Sequence, residues 1–392
     1  MVQRGRRGGF RFALGCAALL AGCAALSPDD LPPYVADIPA RPTAEPFRPL
    51  DLAPGDAHRA ANGAPGPGYW QQRADYRLEA SLDAERRRLA GKGVLTYTNA
   101  SPHPLPYLWI ALEQNLFAPE SLGARAFPGD ARYGNTAGDP GGLALHAVKI
   151  GGKAAPFRIY DTLAKVDLPQ PVAPGGGKVE LSFEWSFALP RDGSDRFGHE
   201  NVAGGAIFQV AQWFPAVAKY DDVRGWNTLP YLGPGEFYTD FGDFDVAITA
   251  PRAHLVAATG VLKNPEEALT SAQRERLAAA AKSRATSWIV GPEEAGTPAV
   301  RPAGEGPVTW RFRAENVRTF AFASSPSFLW DAASTGGVLC QSFYPREALP
   351  AWRRSTDHLA FSLEHYGAKW LPYPYPVATN VNGPVGGMEY PM

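Results

Sequence analysis

The residues of this 392-residue chain best suited to chemistry are its last ten, Gly383-Pro384-Val385-Gly386-Gly387-Met388-Glu389-Tyr390-Pro391-Met392. Adjacent glycines at 386 and 387 leave the backbone bare, so another chain can approach it closely. Met388 supplies a soft apolar wall, and Glu389 a carboxylate two residues past the bare backbone. Such a stretch suits an extended peptide whose main chain pairs with a strand edge while the carboxylate holds its N-terminal ammonium. The same residues also make a glycine-rich turn carrying a solvated Glu. Metal-binding chemistry is scarce elsewhere. The seven histidines are scattered singly, H-E-x-x-H does not occur, and Phe361 stands where the inverted H-x-x-E-H would need its first His. His358 and His365, with Glu364 beside the second, therefore read as solvated or core-edge histidines.

Gly387-Met388-Glu389, preceded by Gly386, resembles the G-[AG]-M-E-N substrate-anchoring motif of the aminopeptidase N (membrane alanyl aminopeptidase) family of gluzincin zinc metallopeptidases. Tyr390 stands where that motif usually has Asn. Earlier phrases resemble the family's N-terminal β domain, and they come in the family's order. They are the Tyr76-to-Asn99 opening, then Gln212-Trp213-Phe214-Pro215 with Tyr220-Asp221, then Trp310 to Arg318. The resemblance covers roughly residues 70 to 392.

The resemblance implies that Gly386, Gly387, Met388 and Glu389 bind the N-terminus of a peptide substrate, and that a Gln near the end of the β domain helps Glu389 grip it. Gln212 sits better before the Phe-Pro pair, and Gln209 is the alternative. Either can equally be an amide that satisfies local backbone groups. Zinc is the family's cofactor, and catalysis needs three protein ligands, a metal-bound water and a Glu base. In relatives the ligand-bearing sequence follows the terminal motif by a few dozen residues, and none of it is present here. The expectation is the front portion of a lipid-anchored zinc aminopeptidase, inactive as written and binding no zinc itself. A different class of reading is a non-catalytic, surface-tethered β-sandwich module for peptide or glycan.

The elements that must position these residues begin with a targeting device. Arg4, Arg6, Arg7 and Arg11 form a basic region, and Phe12 to Ala21 an apolar core too short for a stable span. Leu20-Ala21-Gly22-Cys23 resembles the lipobox of bacterial lipoproteins, which implies lipidation at Cys23 and a protein of the cell envelope facing the periplasm or exterior. Removing residues 1–22 takes four arginines and no acid, moving the formal net charge from −1 to −5. That charge, with no basic run elsewhere, gives no reason to expect nucleic acid. Cys340 is then a lone thiol, read as a small buried hydrophobe. Ten prolines between 28 and 67 mark residues 23–68 as an extended tether.

Globular sequence starts at 69. Alternation predicts strands at 76–82, 93–99, 105–116, 178–185, 242–249 and 310–314, punctuated by Gly and Pro. The expected fold is mainly β, a sandwich or saddle domain over 69–332. The aromatic run from Trp226 to Phe244 reads as core packing before sugar stacking. Asn264-Pro265 and Thr270-x-x-Gln273 start helices, the second running to Lys282. Residues 333–392 read as the start of a thermolysin-like α+β domain. They hold a strand at 339–344, a helical stripe from Trp352 to Trp370, then the terminal motif.

Overall fold

Alternation of apolar and polar side chains sets a mainly β architecture in the computed structural model, which describes residues 54–126, 141–191, 196–233 and 238–385. These residues fall in one compact unit beginning at residue 52. In β1 (Arg73–Asp83), Ala74, Tyr76, Leu78, Ala80 and Leu82 point inward and the charged residues between them outward. β2 (Arg88–Asn99) folds back antiparallel along its whole length. β3 (Leu105–Ala111) belongs to a second sheet, and β4 (Ala144–Ile150) returns to the first. β5 (Leu163–Val172) pairs with β3, and β6 (Gly177–Ala188) joins β2 to β4.

The hairpin of β7 (Gly198–Val202) and β8 (Gly205–Val210) starts a third sheet. β9 (Gly242–Ala250) lies parallel to β1, with Tyr76 opposite Phe244. β10 (Leu255–Ala258) leads to a short helical turn and then α1 (Ser271–Ala280). β11 (Ser287–Val290), β12 (Val308–Val317), β13 (Phe322–Ser325), β14 (Phe328–Thr335) and β15 (Val338–Pro345) follow. α2 (Ser355–Lys369) and β16 (Val377–Val381) close the described chain. The largest sheet runs Val261–Leu262, β12, β9, β1, β2, β6, β4, Lys153–Ala154. The sheets that matter for the site run β10-β13-β8-β7 and β11-β14-β15-β16.

Packing in the main core depends on one close approach. A Cβ on Gly91 would fall 2.3 Å from the Trp185 ring, so only glycine lets β2 pass beneath it. Trp185 Nε1 in turn donates to the Trp213 carbonyl at 2.7 Å, and Trp213 Nε1 to the Phe320 carbonyl at 2.9 Å. Both rings are fully buried and both donors are satisfied. The Gln-Trp-Phe-Pro phrase is thereby plugged into the core.

The strand expected to reach residue 116 stops at Ala111. Glu113, Gln114 and Asn115 are three consecutive polar residues, all buried, and no alternation can serve them. They turn into a 3₁₀ helix in which Gln114 donates to the carbonyls of Ala211 and Gln212, and Asn115 to that of Asp161. α1 carries the expected capping box at Thr270 but ends at Ala280.

Residues 54–68 also depart from the expected extended tether. Asp56 Oδ1 accepts from the backbone N–H groups of His58 and Arg59, and Ala60 N donates to the Ala64 carbonyl across a turn. Arg59 makes two 2.8 Å hydrogen bonds to Asp222, whose side chain is 6% exposed. A bidentate partner 163 residues away is invisible to composition.

The expected junction at 332/333 falls inside β14, and β11 pairs with β14 in the sheet that holds β15 and β16. β15 is buried along almost its whole length between two neighbours. Limited proteolysis is therefore expected to leave a resistant fragment that reaches Val381. A resistant fragment ending before Val338 would contradict this pairing. The helical stripe is only partly covered: Thr356 and Ala360 are buried, whereas Tyr366 and Trp370 are exposed.

Candidate functional site

Gln209 sits on an inner strand, β8, with Gly198 on one side in register and Ala323 on the other. It is 3% exposed, and its Oε1 accepts a 3.0 Å hydrogen bond from the backbone N–H of Val385. The segment that supplies this donor leaves β16, which runs parallel to β15 with Leu339 opposite Val377. Asn382 N donates to the Phe343 carbonyl at 2.8 Å, and Val381 packs on Ala211 and Ala321. Gly383 then passes against Gln209, where a Cβ would lie 2.8 Å from the side-chain carbon Cδ. The β11–β16 sheet thus delivers residues 381–385 to β8, one residue short of Gly386. An amide oxygen has two acceptor positions, so Gln209 can hold Val385 and still accept from an ammonium.

Gln212 takes a different place. Its backbone lies in the left-handed region at φ 54°, in the turn that ends β8, and its carbonyl accepts from Gln114 at 3.0 Å. Its side chain lines a small internal cavity with Tyr76, Glu113, Phe214, Asp240 and Arg318. Asp240 is fully buried there and ion-paired with Lys219. Burial raises the Asp240 carboxyl above the usual range, and the charge of Lys219 opposes the shift. The sequence favours Gln212 from its place beside Phe-Pro. Only the path of the distant tail separates the two glutamines, and no local signal carries that.

Gly386, Gly387, Met388 and Glu389, like Cys23, lie outside the described residues. His358 and His365 are both exposed on α2, and the ring of His365 stacks on Phe361 at 5.6 Å. Among the described residues no group of three or more His, Cys, Asp or Glu could hold a metal ion, so these residues do not fit a zinc centre. Cys340 is buried, and burial pushes its thiol up to about 11, so it is inert as a nucleophile. Among the described residues of the aromatic run, Trp226 and Phe244 are core residues and Tyr238 is exposed.

No family model matches the sequence, and no curated protein does. The structural neighbours are M1 zinc metallopeptidases at low sequence identity. One is a two-domain M1 zinc metallopeptidase mutant bound to L-tryptophan, 16% identical with a TM-score of 0.48, aligned over 83% of this chain and 60% of that one. A mutant of an M1 zinc metallopeptidase from Deinococcus radiodurans, bound to a Tyr-Ser-Ala substrate, is also 16% identical, with a TM-score of 0.47 over 81% and 58%. The chain therefore spans about three fifths of the length of these neighbours.

Proposed function

We propose that this chain is the substrate-anchoring front portion of a zinc aminopeptidase, in which Gln209 and Glu389 together grip the free α-amine of a peptide. The observation that carries the reading is the hydrogen bond from Val385 to Gln209, four residues before Glu389. It ties a buried amide to the approach of the one stretch whose residue types suit an N-terminus. In this reading Gln209 takes the role that the sequence gives to Gln212, and the bare backbone at Gly386 and Gly387 pairs with the substrate main chain. Zinc belongs to the whole enzyme and its ligands to sequence beyond this chain.

Two measurements test the proposal. The purified chain is expected to hold no stoichiometric zinc after dialysis and to release nothing from aminoacyl-anilides. One tightly held zinc with turnover would place a catalytic centre within these residues. A peptide with a free N-terminus is expected to bind at least about tenfold more tightly than its N-acetylated twin, the scale of one charge-assisted hydrogen bond. Gln209→Ala and Glu389→Ala should each erase that preference. Equal binding of the two peptides would sink the amine-anchor role.

Cys23 carries a lipid in the same reading, holding the protein to a bacterial membrane. Cys23→Ser should abolish acyl labelling, and an acylated Cys23→Ser protein would refute the lipobox.

A further inference from the structure

The large apolar side chains exposed among the described residues concentrate at two places. Phe361, Tyr366, Trp370 and Leu371 lie on or just past α2. Val223, Leu229 and Tyr238 lie around the hairpin of strands Tyr220–Asp221 and Gly225–Trp226. The second group gathers where the N-terminal chain enters the body, because Arg59 clamps Asp222 in that hairpin.

The hairpin is densely hydrogen-bonded for so exposed a feature. Asp221 Oδ1 accepts from the backbone N–H groups of Val223 and Arg224, and Asp221 Oδ2 accepts from the Tyr238 hydroxyl at 2.9 Å. Asn227 N donates to the Lys219 carbonyl at 2.8 Å, which holds the chain leading to Leu229 beside the hairpin. Tyr220 packs on Trp226 inside the hairpin and on Trp70 outside it. Val223 and Leu229 are nevertheless each 60% exposed. Polar groups that would oppose burial in an interface are already engaged: Asp222 by Arg59, Asp221 by two amides and a hydroxyl. Arg224, beside Val223, remains as an exposed cation.

We propose that this end of the body is a lipid-contacting surface, with Val223 and Leu229 inserting into the headgroup boundary of a bilayer. The proposal rests on the tethered reading of the N-terminus. About 30 residues between Cys23 and Pro54 reach no more than about 95 Å even as extended polyproline chain. A short tether keeps the local concentration of surface high, so two apolar side chains suffice for contact that a free protein would not sustain. The group on α2, at residues 361–371, lies about 300 residues further along the chain than the tethered entry at Arg59.

The mature chain from Cys23 is coupled through that thiol to phosphatidylcholine vesicles bearing a maleimide lipid. A second sample is coupled to soluble polyethylene glycol maleimide. Buried Cys340 does not compete. Chemical coupling makes the result independent of cellular acylation and of peptide binding, so failure here and failure of the aminopeptidase reading are separate events. Amide exchange over residues 221–229 is expected to slow at least about fivefold on vesicles. Val223→Asp combined with Leu229→Asp should restore the rate without changing the thermal midpoint. Unchanged exchange on vesicles, slowing at 361–371 instead, or slowing at both places would each overturn the assignment.

Discussion

Acidifying this protein from pH 7 to pH 4 is expected to remove about 3 kcal/mol of stability through His254 alone. His254 is 6% exposed; its Nδ1 lies 2.9 Å from the Ser324 hydroxyl and its ring stacks on Phe208 at 6.1 Å. Burial, with the nearby charge of Arg301, lowers its pKa from 6.5 to about 4. Between those values the unfolded chain binds the proton and the folded chain does not. Stability is therefore fully present above 6.5 and is lost as pH falls toward 4. Asp222, Glu294 and Glu364, held low by their arginines, pull the same way, whereas buried Asp240 and Asp331 pull the other way. The comparison with His254→Gln isolates the one group. Urea unfolding at pH 7 and pH 4 should show the variant losing about 3 kcal/mol less than the parent. Parallel losses would mean that His254 protonates within the fold. Ser324 lies on β13, hydrogen-bonded to β8, so acid should loosen the sheet that carries Gln209.

Much of the scaffold was legible because its signals are local. Tyr76 to Leu82 and Lys178 to Trp185 alternate with a period that a half-buried strand uses, and both stretches are strands. Thr270 and Gln273 are three residues apart, and their capping box forms as spaced. The failures share one cause, contacts between residues far apart in sequence. Arg59 gains its meaning from Asp222, and Gln114 from the carbonyls of Ala211 and Gln212. The hydrogen bond between Gln209 and Val385, 176 residues apart, is equally invisible to local pattern. The stripe on α2 is a subtler case. Its period is helical, but the sheet beneath covers only its first turns, so Tyr366 and Trp370 continue the pattern past the point where burial ends. Periodicity reports which face a helix could bury, and the length of the neighbouring element decides how much of it is buried.

Asp331→Ala is expected to cost about 3 kcal/mol and to free α2 from the sheet. The Asp331 side chain is fully buried and accepts from the Tyr344 hydroxyl and the Thr356 hydroxyl, each at 2.5 Å. Those donors come from β15 and from the first turn of α2, while Asp331 itself is on β14. Arg353 lies at the margin of this cluster with its guanidinium over the Trp288 ring on β11. One carboxylate therefore joins two strands to a helix whose last buried residue is Ala360. Burial raises its pKa, and the hydrogen bonds from Thr356 and Tyr344 and the charge of Arg353 only partly reverse this. A raised carboxyl loses stability as pH climbs above 3.8 through its folded value, so the negative charge itself does not stabilise the fold. The stabilising feature is the pair of accepted hydrogen bonds. Asn, which keeps one acceptor and no charge, should consequently cost clearly less than Ala. Removing the whole group takes the acceptor from the buried Tyr344 hydroxyl and leaves Thr356 with Ser342 alone, and that desolvation dominates the loss. Urea unfolding of both variants measures the order. Proteolysis should show faster cleavage within 355–369 in Asp331→Ala while the β1–β9 sheet stays intact. An Ala variant within about 1 kcal/mol of the parent, or one costing less than Asn, would mean that packing of Thr356 and Ala360 alone holds α2 in place.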